Sequence, residues 1–168
     1  MSPKAVGFAG AQWWVIGKDG AGVNSQEKTM TLLSKETLID DGAFGADNQY
    51  SASALKSSME AYYDGLGAAE KALIQSRELD AMVHNPDANM HNGTLSAPNY
   101  VWPLSWIEAE ALPQDTLRLS DTAWWLRTAI TYESTDVYKR QAGRRSGAAI
   151  VSITGMSARS QIAPSPMM

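Results

Sequence analysis

Ala52, Leu55, Met59, Tyr62, Leu66, Ala69 and Leu73 recur at alternating spacings of three and four residues. That rhythm lays one apolar stripe along a helix, with Lys56, Glu60, Asp64, Glu70, Lys71 and Arg77 mostly off it. A stripe of this length has to be buried against other elements, so it sets what the remaining apolar segments are for. The spacing predicts one long helix from about Ser51 to His84, with Ser51 or Ser53 as its N-cap. Pro86 follows and would stop it. Gly65 and Gly67 fall inside this span, where each costs about 0.5–1 kcal/mol relative to Ala, and they mark a kink or a close backbone approach.

The stripe needs partners, and the chain is long enough to supply them. Its 168 residues suffice for one domain with a core, and 44% hydrophobic against 19% charged residues is a globular composition. A net charge of −4 gives no general case for nucleic-acid binding. No apolar run reaches the roughly 20 residues of a membrane span. The absence of cysteine excludes disulfides and thiolate metal sites. Ala5 to Gly17, after Lys4, has some character of a signal peptide, but Gln12, three glycines and the Trp13-Trp14 pair argue against one.

On the N-terminal side, Val6 to Gly17 contains Gln12-Trp13-Trp14-Val15-Ile16 and runs into Gly17-Lys18-Asp19-Gly20. This reads as a strand ending in a tight turn. Lys28 to Ser34 pairs with it as a second strand or forms a short helix. The glycines here have neither phosphate-cradle spacing. The Ile39–Asn48 loop lacks the alternating order of a helix–loop–helix calcium site. On the C-terminal side, Ser105 with Glu108 is a capping box that predicts a helix over 105–112, stopped by Pro113. Leu119, Ala123, Leu126 and Ile130 predict a last helix over 120–133. The expected fold is therefore mainly α: a three-helix core around one long helix, 51–84, with a small N-terminal β-hairpin and a disordered C-terminal tail.

The tail is expected from a change of composition. Residues 1–135 hold 9 Lys/Arg and 17 Asp/Glu; residues 136–168 hold 5 Lys/Arg and one acid, with no aromatic residue after Tyr138. At the change stands Asp136-Val137-Tyr138-Lys139-Arg140-Gln141. This hexapeptide resembles the in-frame translation of a transposon end used in sequencing libraries. The resemblance implies a domain over 1–135, itself a piece of a larger protein, followed by a basic segment, 136–168, not native to it.

Chemistry is sparse. There is no GxSxG and no HExxH, and both histidines fall in or beside the loop 84–93. A zinc set of Asp80, His84, Asp87 and His91 can be drawn, but its spacing matches no known ligand pair, so neither a metal nor another cofactor is expected. Six tryptophans are a high density, and exposed indole faces stack on sugars. Tyr100, Trp102, Trp106, Trp124 and Trp125 are the candidate binding residues. Tyr100-Val101-Trp102-Pro103 resembles a YVWPRD stretch of helical-toroid glucoamylases, with Leu104 and Ser105 where that stretch has Arg and Asp. Leu117-Arg118-Leu119-Ser120-Asp121 is similar to a helix-opening motif of starch-utilisation outer-membrane lipoproteins. Two expectations follow. The first is a non-catalytic binding or assembly module whose Trp-rich surface contacts a glycan or another protein. The second is a fragment of a carbohydrate-active helical enzyme using Glu108, Glu110 and Asp121 as paired carboxylates.

Overall fold

The computed structural model describes residues 4–40, 44, 49–80, 83–84, 94–113, 123–130, 137–140, 145–147 and 150–154. Its centre is a sheet, not a helix bundle. The strands β1 (Ala5–Phe8), β2 (Ala11–Lys18), β3 (Ala21–Gly22) and β4 (Thr29–Ser34) open the chain. They are joined by β9 (Val101–Trp102) and β13 (Ile150–Thr154) in the order β1-β2-β4-β13-β9, with β3 on the end of β2. Every pairing in this sheet is antiparallel.

The segment expected as one strand, Val6 to Gly17, is two. Ala9 and Gly10 both have positive φ, 50° and 75°, the geometry of a two-residue hairpin turn that matches strand twist. Asp19 and Gly20, at 48° and 81°, make the same kind of turn between β2 and β3. Lys28 to Ser34 resolves to the strand β4 and not a helix. All six residues of β4 are buried, so its Thr-Met-Thr-Leu alternation does not mark a solvent-facing side, and the Leu33-Ser34 end breaks the pattern.

A mainly α fold is overturned by this sheet and by the shortness of the helices. The expected helix over 51–84 is a short 3-10 turn, α1 (Ala54–Asp64), α2 (Ala68–Leu73), and then extended chain. The break falls at the glycines. Gly67 takes the extended N-cap position of α2, where the Glu70 carboxylate folds back into the space a Cβ would need. Beyond Ile74 the chain is drawn into sheet pairing as β6 (Leu79–Asp80) and β7 (Val83–His84). β6 pairs with β8 (Thr94–Leu95).

The helix expected over 105–112 is α3 (Trp106–Glu110), opened by the reciprocal Ser105–Glu108 capping box. The helix expected over 120–133 is instead the strand β10 (Ala123–Ile130). Trp125, Leu126, Arg127 and Thr128 in it are all buried, so burial on both faces imitates helical spacing. Nor is the segment after 136 wholly without structure. β11 (Val137–Arg140) and β12 (Arg145–Gly147) flank β10 in a second sheet with β5 (Ile39–Asp40) and β7, and β13 enters the first.

Strand alternation sends neighbouring residues to opposite sides of the first sheet, and each side has its own core. Trp13, Met30, Leu32 and Val101 face one side with Leu55, Met59, Tyr50 and Trp125. Ile16, Leu33 and Trp102 face the other with Leu104, Ala109, Leu112 and Leu126. Among the described residues no helix is long and apolar enough to cross a membrane.

Candidate functional site

The sheet separates the aromatic residues singled out in the sequence. Trp102 is 0% exposed and belongs to the α3 side, where Trp106 packs half-buried against the same cluster. Trp125 is buried on the α1 side, its ring 5.6 Å from that of Phe44, and Tyr100 packs half-buried on that side too. The side chain of Trp124 and all of Asp121 lie outside the described residues. No single surface therefore gathers Trp102, Trp106 and Trp125. Trp102 and Trp125 serve as core filler, the usual role of so large an apolar side chain.

The carboxylate expectation leads to a different structure. Arg127 meets Glu108 through two parallel hydrogen bonds, Nη1 to Oε2 at 2.6 Å and Nη2 to Oε1 at 2.7 Å. The Ser105 amide donates to Oε2 and Asn24 Nδ2 donates to Oε1, so each carboxylate oxygen accepts two hydrogen bonds. Arg127 Nη1 also donates to the Pro103 carbonyl at 2.8 Å. Burial alone would push the Glu108 carboxyl up. The Arg127 charge, with the hydrogen bonds from Arg127, Ser105 and Asn24, outweighs it and holds the group below the ordinary carboxylate value. A carboxylate with every lone pair engaged is a structural tie between α3, β10 and the Asn24 turn. Glu110, on the same helix, is exposed.

Two concavities are lined by described residues. One, of about 460 Å³, is an apolar groove bounded by Ile16, Val23, Ile107, Ala111, Leu112 and Pro113. Glu108 borders it with no hydrogen-bonding capacity left over.

The other, of about 250 Å³, lies between α1 and the 98–101 segment and is lined by Lys56, Glu60, Tyr63, Asp64, Asn99 and Tyr100. Its construction follows from the helix. Ser53 caps α1 by accepting from the Lys56 amide at 3.0 Å, and Leu55 and Met59 turn the apolar stripe into the core. Lys56, Glu60 and Asp64 then fall one turn apart on the adjacent ridge, with Tyr63 beside them.

The opposite wall is held by Asn99. Its Nδ2 lies within hydrogen-bond distance of the carbonyls of Arg77 (2.9 Å), Ser96 (3.0 Å) and Leu95 (3.2 Å), and its own carbonyl accepts from the Arg77 amide. That fixes the loop carrying the cis Ala97–Pro98 bond and presents Tyr100 to Tyr63. The two rings stack at 4.2 Å with their planes 5° apart. Lys71 Nζ stands 5.3 Å over the Tyr63 ring and donates to the Asp64 carbonyl. Lys56 is ion-paired with Glu60. Burial pushes the Tyr63 phenol above its ordinary value, reinforced by Tyr100 and Asp64.

Tyr63 and Tyr100 lie far apart in sequence with no periodicity linking them. Of the two, Tyr100 stands among the candidate binding residues read from the sequence; its pairing with Tyr63 does not. Among the described residues no group of three or more metal-ligating side chains comes together. Of the zinc set drawn from the sequence, Asp87 and His91 lie outside the described residues, as do the side chains of Asp80 and His84. Compared with known protein families, curated proteins and solved structures, the chain matches none.

Proposed function

We propose that the domain is a non-catalytic binding module whose ligand surface is the Tyr63–Tyr100 cleft, and that it takes an uncharged glycan segment. The observation that carries this reading is the stacked tyrosine pair set in a rim of polar side chains. An aromatic face favours the C–H face of a sugar. With Tyr63 covered by Tyr100 and Lys71, the platform in this reading is the face of Tyr100 turned away from Tyr63. The carboxylates and ammonium groups beside it offer acceptors and donors for the sugar hydroxyls. Two cations, Lys56 and Lys71, stand with two anions, Glu60 and Asp64, so the cleft is close to neutral and favours a neutral ligand over a uronate or an amino sugar. The engaged state of Glu108 supports the non-catalytic form, because it has no spare lone pair to accept a substrate proton.

The test is an NMR titration with cello-, malto-, xylo- and manno-oligosaccharides, following the ring signals of Tyr63 and Tyr100. Saturable shifts with at least one series, lost in Tyr100→Ala while the circular dichroism spectrum is kept, are the expected result. If no series shifts these signals, the glycan reading falls.

A further inference from the structure

β13 occupies an unusual place for its origin. It pairs antiparallel with β4 over five positions and with β9 over two, so β4 and β9 meet only through it. Its register matches like with like. Ile150 stands opposite Leu33 and Trp102, Val151 opposite Leu32 and Val101, and Ile153 opposite Met30. Ser152 stands opposite Thr31, and Thr154 opposite Thr29. A slip of one residue in either direction would set hydroxyl residues against apolar ones at most positions of the ladder.

The slot between β4 and β9 cannot stay empty. All of β4 and both residues of β9 are buried, and unpaired backbone groups there would lack both strand and water. Yet the strand that fills it comes from the segment after 136, where charge and aromatic content change. The requirements of the slot are also simple: an extended backbone antiparallel to both neighbours, apolar residues at three positions and small hydroxyl residues at two. Strand addition draws its affinity from main-chain hydrogen bonds and its selectivity from alternate side chains, which makes it tolerant of where the strand originates.

We propose that the gap between β4 and β9 is a strand-accepting slot. It is filled here by Ile150–Thr154 and able to take the same kind of segment, a short apolar run rich in β-branched residues, from a separate chain. The inference does not rest on the glycan reading: it is argued from backbone pairing of β4 and β9, and its peptide test reads no sugar, although Val101 of β9 also lines the Tyr63–Tyr100 cleft.

The experiment uses the full chain with Val151→Asp and Ile153→Asp, which spoil the internal strand, and a fluorescent synthetic peptide of residues 148–156 as the probe. The expected result is saturable binding of the peptide by anisotropy and recovery of the melting temperature toward that of the parent chain. Peptides carrying either Asp substitution should bind at least about tenfold more weakly, and a scrambled peptide should give no recovery. Assembly of the parent chain into a dimer that exchanges β13 between copies would also support the slot. Two outcomes overturn it: a double variant that melts like the parent, showing that the slot needs no strand, or a destabilised variant that no amount of peptide rescues. A second preparation, with a protease site inserted between Gly147 and Ile150 and cleaved after folding, covers aggregation of the double variant. The cleaved 150–168 piece must then stay bound on gel filtration and exchange with the labelled peptide; its loss from a core that stays folded refutes the proposal.

Discussion

The two sides of the first sheet are closed by different physics. The α1 side is lined chiefly by apolar and aromatic side chains, and the Trp13 indole is satisfied within it: Nε1 donates to the Phe8 carbonyl at 2.8 Å. The α3 side encloses an ion pair, a capping box and Asn24, while Trp102 Nε1 is buried there with no hydrogen-bond partner among the described residues. An apolar side tolerates rearrangement as long as volume is kept. A side tied by a saturated carboxylate is directional, since each oxygen dictates where a turn, a helix start and a strand must lie.

Breaking the tie should give the largest effect. Arg127→Met leaves the Glu108 carboxylate buried without its counter-charge and should cost about 3–5 kcal/mol in denaturant unfolding. Arg127→Met with Glu108→Leu should recover most of that loss, because no buried charge remains. A double variant as unstable as the single one would show that the hydrogen bonds to the Ser105 amide, Asn24 and the Pro103 carbonyl, and not charge balance, carry the tie.

Acid titration tests the same tie without mutation. The folded Glu108 value lies below its ordinary 4.5, so the folded state binds its proton less readily than the unfolded chain does. The resulting stability is present above about 4.5 and is lost as the pH falls through the lower folded value. Melting temperature followed through that window should drop in the parent and drop less in Glu108→Gln.

A smaller contrast is expected from the two fully buried tryptophans. Trp13→Phe forfeits the hydrogen bond from Nε1 to the Phe8 carbonyl. Trp102→Phe removes a donor that was already unpaired, which offsets about 1–3 kcal/mol of its cavity cost. Trp13→Phe should therefore be the more destabilising of the two, and the reverse order would mean that Trp102 Nε1 has a partner such as a buried water. The smallest effect belongs to the exposed ridge of α1. Lys56→Ala breaks a surface i,i+4 pair and should change stability by only about 0.2–0.5 kcal/mol, diminishing with salt.

The sequence made the local devices legible and the long-range ones opaque. The Asp19-Gly20 turn, the Ser53 cap and the Ser105–Glu108 box depend on residues within a few positions, and each can be read from spacing. The stripe through Leu55 and Met59 is real in α1, but its continuation through Leu66 and Leu73 was misleading. Gly67 at an N-cap and strand pairing beyond Ile74 override a periodicity that carries no information about neighbours. β10 failed for another reason: a strand buried on both faces with no polar–apolar alternation lets chance spacings of three and four pass for a helix, whereas Lys28 to Ser34, read as a strand or a short helix, is the strand. The partners Glu108–Arg127 and Tyr63–Tyr100 are joined only by the fold. Nothing at one member announces the other.

The placement of β13 also has a consequence for biosynthesis. β4 and β9 leave the ribosome before the strand that joins them, so the growing chain carries an open β4 edge for much of its translation and a second open edge once β9 is made. The final pairing joins residues near opposite ends of the described chain, which makes closure slow relative to the hairpins that precede it. In that interval the apolar edge of β4 is a template for any passing strand. Yield in a cell should thus depend on translation speed and chaperone supply more than on the stability of the finished fold.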